Sequence, residues 1–157
     1  MITLEQIKEL RAETGLSVIQ CQKALEEAGE LNLTGSDLMV KAIEILKAKG
    51  AEIAGKKSDR SLGAGTVASY IHSGDTVGVL LELLSETDFV SKNPEFKNVA
   101  KEIAMHIAAM NPSTSDELVG QPYIKDPSKT IGDLINNTVQ KFGERTEIGR
   151  FIRFSIK

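Results

Sequence analysis

Apolar positions in the first 50 residues recur at helical spacing in three short bursts, each opened by a hydroxyl residue and closed by a glycine. Thr3 and Gln6 stand three apart, the arrangement in which a hydroxyl and a side-chain amide satisfy helix-end N–H groups reciprocally. Leu4, Ile7 and Leu10 follow at helical period, and Gly15 predicts the stop. Ser17 and Gln20 repeat the cap ahead of Ile19, Ala24, Leu25 and Ala28, which run to Gly29. Ser36 is the expected cap of a third helix with the stripe Leu38, Ala42, Ile45 and Leu46, ended by Gly50. Residues 1–50 therefore predict a small three-helix bundle with a marginal core.

Residues 51–65 are rich in glycine, lysine and serine and predict a linker. Beyond them the period changes. Thr66 to His72 has strand propensity, Ser73 to Thr76 is a turn, and Val77 to Leu84 is a second, more apolar strand, which makes a hairpin. Val99, Ile103, Ile107 and Met110, with Ala100, Ala104 and Ala108, predict a long helix stopping at Asn111-Pro112. A loop containing Pro112, Pro122 and Pro127 leads to a helix capped by Ser128 or Thr130 and carrying Ile131, Leu134, Ile135, Val139 and Phe142. Gly149 to Ile156 alternates imperfectly as a last strand. This β-β-α-α-β order, without βαβ alternation, predicts an α+β domain over residues 66–157, an antiparallel three-stranded sheet packed with helices.

The tetrapeptide Thr87-Asp88-Phe89-Val90 interrupts this regular pattern. It joins the strand ending at Leu84 to the helix start at Asn93-Pro94-Glu95, and puts an aromatic where a turn would do with small residues. Two placements fit. Phe89 folds into the core and Asp88 caps the next helix, since most aromatics are buried. Alternatively Phe89 is an exposed anchor on a loop held by rigid elements, with Asp88 suited to a partner site of cations or amide donors.

Composition narrows the function. The 157 residues are 41% hydrophobic and 26% charged, enough for a packed core and unlike a disordered chain. A net charge of -3 argues against nucleic acid as a direct partner. Basic side chains gather locally at Lys56, Lys57 and Arg60, and in the tail at Lys141, Arg145, Arg150, Arg153 and Lys157. No apolar run approaches the roughly 20 residues of a membrane span, and the opening residues resemble neither a secretory signal nor a transit peptide, so a cytoplasmic location is expected. Cys21, the single cysteine, lies on an apolar helical face and reads as a structural thiol; it excludes an internal disulfide. There is no glycine-rich phosphate loop, dinucleotide fingerprint or nucleophile elbow, and His72 and His106 lack metal-ligand spacing. An enzyme, a bound cofactor and a resident metal are not expected.

Four ordered blocks carry a family resemblance. They are Ile7 to Gly15 with Cys21 to Leu25; Thr87 to Val90; Glu102 to Ala109; and Gly120-Gln121-Pro122 with Asp126 to Ile131 and Gly149 to Phe154. Together they resemble translation elongation factor Ts, the guanine-nucleotide exchange factor family of elongation factor Tu, over nearly the whole chain. The resemblance implies that residues 1–50 form a ubiquitin-associated-like three-helix domain that docks on the nucleotide-binding domain of the GTPase. It implies an α+β core that contacts a second GTPase domain. It assigns Thr87, Asp88, Phe89 and Val90 to insertion near the GTPase's magnesium and nucleotide, with Phe89 exposed and wedging between helices. Arg11 and His106 become further candidate contacts. The implied partner is elongation factor Tu, GDP-bound or nucleotide-free. Long members duplicate the core and short members form homodimers; one core copy here implies a homodimer through the sheet or the closing segment. Glu102 stands where the family often has a histidine, and Leu31 to Ser36 looks like an insertion. A generic adaptor using only the three-helix domain remains the alternative, and it would require neither the tetrapeptide nor the closing segment.

Overall fold

The computed structural model describes residues 1–156; Lys157, counted above with the basic tail, lies outside them. In chain order the elements are α1 (Leu4–Thr14), α2 (Val18–Gly29), α3 (Gly35–Lys56), β1 (Ala64–Ile71), β2 (Val77–Ser85), α4 (Asp88–Ser91), α5 (Pro94–Met110), α6 (Ser115–Gly120), β3 (Pro122–Tyr123), β4 (Asp126–Thr130), α7 (Ile131–Phe142) and β5 (Glu147–Ser155). The expected α+β class is what the chain adopts.

Both predicted capping boxes form. Thr3 Oγ1 accepts from the Gln6 N–H while Gln6 Oε1 accepts from the Thr3 N–H, and Ser17 and Gln20 do the same for α2. Gly15 ends α1 in the left-handed region. Leu10, Leu16, Cys21, Leu25, Leu38 and Leu46 bury together, and the Cys21 thiol is fully enclosed.

The third helix departs from expectation. Thr34, not Ser36, stands at its cap, and its side chain makes no capping bond. The helix does not stop at Gly50 but continues to Lys56, so the first six residues of the expected 51–65 linker are helical. Gly50 serves close approach instead of termination. A Cβ there would lie 2.9 Å from Gln140 Oε1 and 3.4 Å from the Asn136 carbonyl oxygen of α7. Two hydrogen bonds beside it also join the bundle to the rest of the chain: Lys47 Nζ donates to the Ser128 carbonyl of β4 (2.9 Å), and Asn137 Nδ2 of α7 donates to the Thr14 carbonyl of α1 (3.0 Å).

The sheet has the order β1-β2-β5, antiparallel throughout, with the apolar β2 in the centre. Alternation along these strands sends Ala68, Val79, Leu81 and Leu83 to one face, where α5 covers them with Phe96, Ala100, Ile103, Ala104 and Ile107. The alanines let the helix approach closely. The other face presents Val67, Ile71, Leu80, Ile152 and Phe154, all exposed. Asn93 caps α5 by accepting from the Glu95 N–H at 2.9 Å, with Pro94 at the first helical position. The proline-bearing segment is not a plain loop. It instead holds the short helix α6 and the β3–β4 hairpin, elements too brief for a sequence period to mark. Thr130, one of the two expected caps, starts α7 by a reciprocal box with Asp133.

Candidate partner-binding site

Four consecutive residues with opposite demands build the site. Strand β2 ends at Ser85, and Asn93 must start α5, so Glu86 to Lys92 has to turn the chain across the end of the sheet. It does so with the single helical turn α4, closed by Ser91 N–H to Thr87 O (3.2 Å) and Lys92 N–H to Asp88 O (3.0 Å). Val90 and Ser91 point inward, and Val90 joins the sheet–α5 core. Thr87, Asp88 and Phe89 therefore point outward. Phe89 is 92% exposed, while Val90 beside it is 6% exposed. Asp88 does not cap α5, because Asn93 does.

The tetrapeptide thus divides. Val90, assigned with the others to partner contact, is instead the anchor that pins the turn to the core. Thr87 makes a contact that no sequence signal announced. Its N–H donates to Glu144 Oε1 at 3.0 Å and its hydroxyl to Glu144 Oε2 at 2.7 Å. Glu144 follows Gly143, which ends α7 with φ 73, a conformation glycine adopts without a Cβ penalty. The neighbouring residues interlock in the opposite sense. Arg145 N–H donates to Glu86 Oε2 (2.6 Å), and Arg60 Nη1 reaches Glu86 Oε1 (3.4 Å). Thr87 and Glu144 are 57 positions apart, and Glu86 and Arg145 are 59, so periodicity has no means of pairing them.

Arg11 is exposed on α1 and borders a cleft of about 360 Å³ with Lys8, Ala12, Gly15, Glu95 and Lys141. Lys141 pairs with Glu95 of the first α5 turn. Burial and the nearby Arg11 guanidinium hold the Lys141 ammonium below the ordinary lysine value. The cleft connects the bundle to the helix that follows Phe89.

His106 is not brought to this surface. Named as a candidate contact, it is fully buried in α5, and both ring nitrogens are engaged: Nδ1 accepts from the Ile124 N–H (3.2 Å), and Nε2 lies 2.9 Å from Gln121 Oε1. Accepting at Nδ1 leaves the proton on Nε2, so the ring is a neutral donor to Gln121. Burial lowers its pKa, which the Gln121 hydrogen bond only partly opposes. Its work is to hold the β3–β4 hairpin on α5. Glu102, one helical turn earlier on α5, shares that task, accepting from Tyr123 Oη at 2.5 Å and pairing with Lys125. Burial alone would raise Glu102, but hydrogen bonds from Lys125 and Tyr123 outweigh it and hold the carboxyl below its ordinary value.

Among the described residues, no group of three or more His, Cys, Asp or Glu side chains is placed to hold a metal ion, and no helix is long and apolar enough to cross a membrane. The site is a surface: one bare aromatic with an acid beside it, on a turn tied to the rest of the molecule on both sides. A family model described as Elongation factor TS matches residues 5–117 and 86–157. The chain belongs to the elongation factor Ts family. Among similar proteins, Elongation factor Ts of Alkaliphilus metalliredigens is 38% identical over 200 residues, covering 99% of this chain and 89% of that relative. Elongation factor Ts of a Thermoanaerobacter species is 39% identical over 199 residues, covering 98% and 94%. Elongation factor Ts of Trichlorobacter lovleyi is 41% identical over 154 residues, covering 98% of this chain and 47% of the relative. An alignment of 200 positions against 157 residues leaves at least 43 positions of the Alkaliphilus factor without a counterpart. Against that member of the elongation factor Ts family the chain is therefore shorter within the aligned span.

Proposed function

We propose that the chain is a guanine-nucleotide exchange factor, not an enzyme, that binds elongation factor Tu and accelerates release of GDP during translation elongation. The observation that carries this reading is Phe89, a large apolar side chain left 92% exposed on a turn pinned by buried Val90 and by the bonds from Thr87 to Glu144. An exposed aromatic that costs little to order is the form a binding anchor takes.

A GTPase holding GDP at nanomolar affinity binds it with about 12 kcal/mol. A protein that promotes release must offset some of this, and by linkage GDP weakens that protein's binding by the same factor. Burying Phe89 in the partner would contribute about 2–3 kcal/mol. Its shape lets it wedge between neighbouring helices near the nucleotide, while Asp88 competes for groups around the magnesium. Arg11 and the bundle provide a second point of attachment, and with α3 docked on α7 the two points keep a fixed separation. The test is release of a fluorescent GDP analogue from bacterial elongation factor Tu. Acceleration by the wild type, sharply reduced in Phe89→Ala, is expected; no acceleration from the folded wild type would overturn the reading.

A homodimer belongs to the same proposal. The uncovered sheet face, Val67, Leu80, Ile152 and Phe154, supports it, because a second copy of this face would bury apolar surface that water now covers. Glu82 and Arg150 lie at one side of that face in a bidentate pair, at 2.9 and 3.0 Å, and the Arg150 side-chain and backbone hydrogen bonds bring Glu82 down to about 2.

A further inference from the structure

We propose that Glu144 is a positioning residue for Phe89: its carboxylate, gripping Thr87 by both oxygens, sets the turn that presents the aromatic. The proposal rests on the exchange-factor reading above. A four-residue helix has too few internal hydrogen bonds to hold itself, since nucleating the first turn is unfavourable. Its natural local support is an N-cap side chain, and Thr87 occupies that position with extended backbone angles. Yet the Thr87 side chain makes no cap bond to α4. Its hydroxyl turns away from the helix and donates to Glu144 at 2.7 Å, with its N–H donating to the other carboxylate oxygen at 3.0 Å. The turn is therefore held from outside, by a residue from the far end of the domain.

The grip is itself braced. Thr146, buried, donates its hydroxyl to the Glu144 carbonyl at 3.3 Å, and Ser85 Oγ donates to the Thr87 carbonyl at 3.0 Å. Arg145 N–H returns a bond to Glu86, so the two loops exchange a carboxylate in each direction. Phe89 itself contributes almost no packing to this arrangement, being exposed. Its position is set by Val90 on one side and the Thr87–Glu144 grip on the other. Releasing the grip leaves Phe89 chemically intact but no longer pre-organised, which is a loss for binding and not for the core.

The experiment has two arms. Hydrogen exchange of the Ser91 and Lys92 amides, whose bonds close α4, reads the grip without any GTPase. Glu144→Ala should speed their exchange at least about tenfold while the Leu81 and Leu83 amides of β2 stay as in the wild type. GDP release should fall about five- to tenfold in Glu144→Ala, and less than about twofold when the same change is made in Phe89→Ala, because a positioning residue has nothing left to position. Thr87→Val, which replaces the hydroxyl by a methyl and so removes the 2.7 Å bond to Glu144, repeats both arms should Glu144→Ala fold poorly. Unchanged Ser91 and Lys92 exchange, or equal losses of GDP release with and without Phe89, would overturn the proposal. If the wild type releases no GDP, the exchange reading fails by itself, and the amide arm still decides whether Glu144 holds the turn.

Discussion

Gly50 in α3 passes so close to Gln140 in α7 that a methyl group on its Cα would sit 2.9 Å from the Gln140 amide oxygen. The next atom, the Asn136 backbone oxygen at 3.4 Å, cannot swing aside as a side chain can. Gly50→Val should therefore separate the two helices and destabilise the protein by about 1–3 kcal/mol. Gly55, in the same helix, has nothing within 4 Å of its would-be Cβ. Gly55→Ala should stabilise by up to about 1 kcal/mol through helix propensity. Urea unfolding of the pair measures both signs.

Phe89 and Val90 are neighbours with inverse consequences. Phe89→Ala should leave stability within about 0.5 kcal/mol of the wild type while sharply reducing, without abolishing, the acceleration of GDP release. Val90→Ala should cost about 2 kcal/mol, since it deletes two buried carbons and leaves a void. A large drop in melting temperature for Phe89→Ala would place the ring in the core instead.

Acidification should weaken the fold in two separate steps. Burial depresses His106, so the unfolded chain takes up that proton first. Its contribution is complete above the unfolded value of about 6.5 and is lost as pH falls through it towards the folded value. Glu82, Glu102 and Asp126 are also depressed, but their contribution is present above about 4.5 and declines only below it. Urea midpoints should thus fall between about pH 7.5 and pH 5.5, and His106→Gln should flatten that step alone.

Leu80 and Ile152 stand opposite each other on β2 and β5 and are both exposed on the uncovered sheet face. Light scattering at micromolar concentration should return twice the monomer mass. Leu80→Asp should return a folded monomer, because a carboxylate placed at the centre of that apolar face would have to be desolvated. A strictly monomeric wild type would remove the dimer from the proposal.

Elements with local stabilisation were legible along the chain. Thr3 with Gln6 and Ser17 with Gln20 define helix starts because cap and partner lie three residues apart, and Gly15 defines a stop by its own backbone freedom. The strand propensity of β1, the apolar run of β2 and the alanine face of α5 indicated the α+β class, since each signal lies within neighbouring residues. The ordered blocks were enough to indicate the family. Tertiary structure decided everything that depends on a partner far along the chain. Gly50 looks like a terminator until α7 is seen against it. His106 looks like a candidate contact until the β3–β4 hairpin closes over it. The pattern left Phe89 two placements; its exposure follows from Val90 taking the inward position and from Glu144, 57 residues beyond Thr87, taking hold of the turn. Periodicity reaches only a few residues along the chain, and these choices were made by contacts that loop closure brings together across half the molecule.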